Sequence, residues 1–155
     1  TMTGGRIKYA EKYVGNEPFF MTYGDGVADI NINSLISYHQ SHKKTITMTA
    51  VQPEGRYGAL SITAEGNVTK FMEKPKGDGS WINGGYFVCE PEVFNTISDN
   101  TTVFEQGPLA KLANDGELFA YKHDGFWACM DTLRDKTNLC DLWDRGQAPW
   151  KIWVD

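Results

Sequence analysis

A chain of 155 residues, 41% hydrophobic and 13% aromatic, has room for one domain with a real core, burying roughly 68–70% of its unfolded surface. Its net charge of −5 excludes a broad nucleic-acid footprint, which needs clustered Lys and Arg. It leaves room for a small phosphorylated substrate, which one or two local cations can hold. No apolar run reaches the roughly 18 residues of a membrane span, and no signal-peptide pattern opens the chain. Cys89, Cys129 and Cys140 form no CxxC pair, so reduced thiols in a cytoplasmic protein are expected. Thr1 is not an initiator Met, and the sequence reads as an internal segment of a longer protein.

In chain order, Ile7, Ala10, Tyr13 and Val14 recur at helical spacing over Ile7–Val14. Pro18–Tyr23 reads as a short buried strand, stopped by Gly24 and Gly26. Asn33 is placed to cap a helix running to about His42, with Leu35, Ile36, Tyr38 and His39 near its inner face. Thr45–Val51 alternates Ile46, Met48 and Ala50 against threonines, the pattern of a half-buried strand. Ala59–Thr63 and Val68–Met72 flank Glu65-Gly66-Asn67 as a hairpin. Ile82–Cys89 is a further strand, followed by a short helix opened by Pro91. Pro108–Asn114 is helical and ended by Gly116; Leu118–His123 and Phe126–Met130 read as strands, and Thr132–Asp144 as a helix closed by Gly146. Early strand–helix alternation with central hairpins predicts an α/β fold built on a mixed sheet. In the tail, residues 147–155, Pro149 ends regular structure. Trp150, Ile152 and Trp153 are too apolar to dangle, so docking on the chain's own body or on a second subunit is expected.

Asp25 and Asp131 each stand where an apolar run stops, Phe19–Met21 and Phe126–Met130 respectively. Carboxylates at strand ends can hold a hard cation such as Mg²⁺, and ligands of open α/β sheets bind outside the strands' carboxyl ends. Asp25 also suits a plain Gly-Asp-Gly bend, and Asp131 a helix N-cap. Glu73 and Lys74 close the second hairpin arm, either as a solvated pair or as an acceptor for sugar hydroxyls beside a point charge for phosphate. Asn83-Gly84-Gly85 interrupts a strand, marking either a bulge or close approach of a ligand, with Asn83 able both to donate and to accept. Trp127 suits the core or a sugar face. Arg56-Tyr57-Gly58 reads as a loop, with Arg56 near phosphates. Gly5 and Arg6, in Gly4-Gly5-Arg6 ahead of a helix, could set backbone donors near an anion. His39 and His42 have no third ligand nearby for zinc, and neither GxSxG nor a Walker A loop occurs.

Tyr23-Gly24-Asp25-Gly26, Arg56-Tyr57-Gly58, Phe71-Met72-Glu73-Lys74-Pro75, Asn83-Gly84-Gly85 and Met130-Asp131-Thr132 occur in an order that resembles the sugar-phosphate nucleotidylyltransferases. Within that family, Thr3-Gly4-Gly5-Arg6, Glu73–Gly79, Met130–Asp135 and Ala148–Trp153 are most similar to the branch making CDP-glucose and pyrophosphate from CTP and glucose 1-phosphate. The resemblance implies a Rossmann-like nucleotidyltransferase fold in one partial domain, residues 1–155. It implies Asp25 and Asp131 as Mg²⁺ ligands, Lys74 as the catalytic cation on the sugar phosphate, and Glu73 with Asn83 on the sugar hydroxyls. Gly84, Gly85, Trp127, Gly5 and Arg6 join them as substrate-binding candidates, in a homo-oligomeric enzyme of nucleotide-sugar and polysaccharide biosynthesis. The family's GGxGTR-type triphosphate loop does not occur here, so an N-terminal nucleotide-binding portion is expected to be missing. Uridylyl or thymidylyl transfer, a metal-dependent glycosyltransferase, or an inert sugar-phosphate-binding and assembly domain are the rival readings.

Overall fold

The computed structural model describes residues 1–53, 55, 58–73, 75–76 and 80–154. Helix α1 (Thr3–Val14) leads to strands β1 (Phe19–Thr22) and β2 (Gly26–Ala28), helix α2 (Ile32–His42) and strand β3 (Ile46–Val51). The hairpin β4 (Ala59–Ile62) and β5 (Val68–Met72) follows, then β6 (Ile82–Cys89) and a 3-10 helix over Pro91–Thr96. Helix α3 (Pro108–Asn114), strands β7 (Leu118–His123) and β8 (Trp127–Cys129) and helix α4 (Leu133–Asp144) complete the chain. The architecture is α/β with a mixed sheet. Four strands hydrogen-bond in the order β1-β6-β3-β7, while β2-β8 and β4-β5 form separate two-stranded pairs. β1 and β6 run antiparallel, with Phe19 opposite Cys89 and Thr22 opposite Tyr86.

Two compact units result. The first comprises Thr1–Gly24, Asn31–Thr49 and Gly85–Tyr121; the second comprises Asp25–Ile30, Ala50–Gly84 and Lys122–Asp155.

The first unit holds an apolar core of Ile46, Phe87, Cys89, Val93, Phe94, Ile97, Phe104, Leu109 and Leu112. Phe19 stacks on Phe94 with ring centroids 5.1 Å apart. Phe87, Phe94 and Phe104 are fully enclosed, and each such ring stabilises by about 2–3 kcal/mol. Burial also pushes the Cys89 thiol up to about 12, so it stays protonated.

Helix α1 begins earlier than the apolar spacing predicts, because Gly4 and Gly5 form its buried first turn. Glycine is a poor helix former, so periodicity alone starts the helix at Ile7. Here the loop at Asn100–Thr102 decides: Met2 N donates to the Asn100 carbonyl at 2.9 Å and Gly4 N to the Thr102 carbonyl at 3.0 Å. A Cβ on Gly5 would stand 2.7 Å from Asn100 Cα, and one on Gly4 would stand 2.8 Å from the Thr102 carbonyl oxygen. Backbone atoms cannot yield as a side-chain tip can. Gly5→Ala is therefore expected to cost about 1–3 kcal/mol, read as a lower urea midpoint; an unchanged midpoint would show that this turn is not closely packed.

The cap of α2 is Asn31, not Asn33: its side chain accepts from Ser34 N at 3.0 Å. Strand β3 also departs from the half-buried expectation. Its threonine face is covered too, leaving Thr47 and Thr49 at 0% exposure. The cover over Thr47 comes from two histidines of α2, in a chain whose proton positions can be assigned by elimination. Lys44 N donates to His42 Nδ1 at 3.0 Å, so that nitrogen must accept. A neutral His42 then carries its proton on Nε2, 2.7 Å from Thr47 Oγ1. The one hydroxyl proton of Thr47 is left for His39 Nδ1 at 2.8 Å, and His39 Nε2 donates to Glu90 Oε1 at 3.1 Å.

In the second unit, β4 and β5 pair antiparallel, with Leu60 opposite Phe71 and a register shift at Ser61/Ile62. Thr132, expected as the first helical residue of α4, is its N-cap: Thr132 Oγ1 accepts from Asp135 N, while the Asp135 carboxylate accepts from Thr132 N. In the tail, Trp150 stacks on Phe126 at 5.6 Å and Trp153 lies 6.3 Å from Trp143, whereas Ile152, Trp153 and Val154 remain exposed. Among the described residues no helix is long and apolar enough to cross a membrane.

Candidate active site

The second unit brings several of the predicted residues together through a strand that the sequence did not reveal. β2 is three residues long, too short to show alternation, and it exists because β8 pairs with it. In the antiparallel register Gly26 faces Cys129 and Ala28 faces Trp127. One step beyond, Met130 N donates to the Asp25 carbonyl at 2.8 Å. The ladder therefore ends with Asp25 opposite Met130 and Asp131 immediately after it.

Asp131 is free of the capping role that its position allowed, since Thr132 and Asp135 satisfy the start of α4 between them. Its Oδ2 instead accepts from Cys129 Sγ at 3.0 Å. The Cys129 thiol is pushed up to about 11, by partial burial first, then by that hydrogen bond and the charges of Asp131, Asp135 and Asp25. Three carboxylates thus act on one thiol. Neither Cys129 nor Asp135 was a predicted site residue, although Thr132-x-x-Asp135 spells a capping box.

Trp127 donates its indole Nε1 to the Gly84 carbonyl at 2.8 Å, bringing the Asn83-Gly84 segment beside β8. Trp127, Cys129, Asp135 and Lys76 share the lining of a cavity of about 380 Å³. Asn83 is half-buried and Glu73 exposed at the end of β5. A Cβ on Gly58 would lie 2.8 Å from the Phe71 ring and 3.3 Å from Glu73 Oε2, so Gly58 packs closely on two side-chain tips at the end of β5. Lys74, Arg56 and Tyr57 lie outside the described residues.

Nearby, His123 Nε2 sits 3.1 Å from the Phe126 carbonyl and 2.9 Å from Asp29 Oδ1. Asp29 Oδ1 is enclosed and accepts no hydrogen bond from the described residues, so its contact with His123 is one of proximity. A side chain on Gly125 would collide with both residues.

Gly5, Arg6 and Gly85 belong to the first unit. Packing accounts for Gly5, as above, and Arg6 Nε donates to the Thr1 carbonyl at 3.3 Å. Gly85 has φ +78°, and a Cβ there would meet the Tyr23 ring at 2.8 Å. It breaks the regularity of β6 at the residue where Tyr23 N donates to the Gly85 carbonyl at 2.9 Å.

With this geometry in view, the relatives are informative. The chain is 54% identical over 154 residues to glucose-1-phosphate cytidylyltransferase of Salmonella typhimurium, covering 99% of this chain and 60% of that protein. It is 33% identical over 140 residues to mannose-1-phosphate guanyltransferase 2 of Candida glabrata, covering 86% of this chain and 39% of that one. The chain thus spans 60% of the length of its cytidylyltransferase relatives. In fold it is similar to the crystal structure of HddC from Yersinia pseudotuberculosis, at TM-score 0.68 and 23% identity, over 92% of this chain and 62% of that one. The pattern of the family described as Nucleotidyl transferase matches residues 3–136, across both carboxylates, and the chain belongs to that family.

Proposed function

We propose that the complete protein transfers a cytidylyl group from CTP to α-D-glucose 1-phosphate, giving CDP-glucose and pyrophosphate. The observation that carries this reading is the convergence of Asp25 and Asp131 at the end of the β2–β8 ladder, within motifs similar to those of the cytidylyltransferases. A phosphate oxygen of the sugar phosphate attacks the α-phosphorus of CTP in line; the new O–P bond forms as the bond to pyrophosphate breaks. The protein has little covalent work to do. It aligns two anions and offsets their repulsion.

Asp25 and Asp131 fit Mg²⁺ in their chemistry, being exposed, hard oxygen donors acting on the same thiol. Among the described residues no three His, Cys, Asp or Glu form a metal cluster, so two carboxylates would rely on phosphate oxygens to complete a shell. When bound, the ion supplies positive charge against the phosphates. Lys74 is assigned the sugar phosphate, and Glu73 with Asn83 the sugar hydroxyls. The chain described here is then the sugar-phosphate and metal-holding part. We place the protein in the cytoplasm as a homo-oligomer, a reading supported by its free cysteines and by its exposed apolar tail.

The test is pyrophosphate release by the complete protein with Mg²⁺, glucose 1-phosphate and each nucleoside triphosphate in turn. Release with CTP far above the others is expected. Preference for UTP or dTTP would move the assignment to those transfers, and release with none of them would overturn it.

A further inference from the structure

The peptide joining Gly84 to Gly85 is flanked by two residues without a Cβ, so no side chain of its own restrains its plane. Gly85 already holds a left-handed conformation at φ +78°. Both glycines are buried, and a side-chain donor is aimed at this peptide: Trp127 Nε1, 2.8 Å from the Gly84 carbonyl. An indole has a single N–H, so this bond commits the polar edge of the ring to the protein and leaves none to offer a ligand. The ring itself is held by β8, where Trp127 pairs with Ala28, two residues from the Cys129 that contacts Asp131. In an extended strand residues two apart share a face, so Trp127 and Cys129 direct their donors from one side of β8, and both line the same cavity.

We propose that Trp127 is a positioning residue: its indole N–H fixes the Gly84–Gly85 peptide and thereby the preceding Asn83 for sugar recognition. This rests on the sugar-phosphate reading of the site. The sequence offered the ring only two roles, core filler or sugar-stacking face; the hydrogen bond supplies a third, acting through the backbone.

The experiment compares wild-type complete protein with Trp127→Phe, which keeps an aromatic ring and removes the N–H. Glucose 1-phosphate binding is measured by calorimetry, together with the separate kinetic constants. Losing one hydrogen bond to a buried carbonyl is expected to raise the sugar-phosphate Kd and KM about 10-fold, with kcat and the KM for CTP within about threefold. A purely structural role would instead lower the melting temperature and leave the folded fraction's Kd unchanged. A Kd within about twofold of wild type therefore overturns the proposal.

Wild-type protein gives a second readout that does not depend on the variant folding. The Trp127 indole N–H should exchange slowly with solvent, with and without glucose 1-phosphate, and keep its chemical shift when the sugar phosphate binds. Rapid exchange, or a large shift showing transfer of the bond to the ligand, overturns it. If wild-type protein binds no glucose 1-phosphate, the sugar-phosphate reading itself falls and takes this proposal with it, a failure visible before any variant is made.

Discussion

In the complete protein, Asp25→Asn and Asp131→Asn are each expected to lower pyrophosphate release by about 100-fold or more while leaving the melting temperature within a few degrees. Both residues are exposed, so neither substitution opens a cavity or strands a buried charge. The contact of Asp131 with Cys129 survives, because an amide oxygen accepts from the thiol as a carboxylate oxygen does. What disappears is one negative charge at the end of the β2–β8 ladder. If those charges hold Mg²⁺, the metal requirement for half-maximal activity should rise in both variants. Equal activity at every Mg²⁺ concentration would remove the two aspartates from the metal assignment. A large fall in melting temperature with an unchanged metal requirement would give them a structural role instead.

Thr47→Val is expected to cost the fold about 2–4 kcal/mol, by a route unconnected with catalysis. Val has nearly the same shape, so packing against β3 is preserved. The hydroxyl, however, is both acceptor from His42 Nε2 and donor to His39 Nδ1. Removing it leaves two ring nitrogens without a partner in an enclosed site, His39 being only 2% exposed. Urea unfolding at neutral pH measures the loss; a change below about 0.5 kcal/mol would mean that the nitrogens find other partners.

The same network sets a pH dependence. The His42 pKa is lowered from its ordinary value by burial first, then by the neighbouring His39 and Lys44, with Glu117 opposing. The geometry agrees, since Nδ1 already accepts from Lys44 N and has no room for a proton. The unfolded chain takes up that proton near pH 6.5, before the folded one does. Stability from this group is thus fully present above about pH 6.5 and declines as the pH falls toward the lower folded value. Unfolding midpoints followed downward from neutral pH should show the decline, and a His42→Gln variant should flatten it.

The elements most legible in the sequence carry their own local signals. α3 opens on Pro108 and stops at Gly116, whose φ is +70°; the β4–β5 hairpin turns at Gly66, with φ +91°. These features depend on residues a few positions apart, which is why their limits agree closely with expectation. β2 has no such signal and is defined by a partner a hundred positions away. The start of α1 and the burial of the threonine face of β3 likewise depend on what covers them.

The candidate site divides in the same way. Asp25, Asp131, Glu73, Lys74 and Asn83 could be named from motifs, because the type and order of chemical groups are written along the chain. That the backbone of Asp25 lies against Met130, next to Asp131, follows from pairing β2 with β8, and that Trp127 bonds to Gly84 follows from a contact between residues 43 apart in the chain. The sequence by itself determined the family and the inventory of donors and acceptors, since local composition fixes which groups exist. The tertiary structure alone decided which of those groups face one another, because hydrogen bonds and charge act over a few ångströms of space, whatever the distance along the chain.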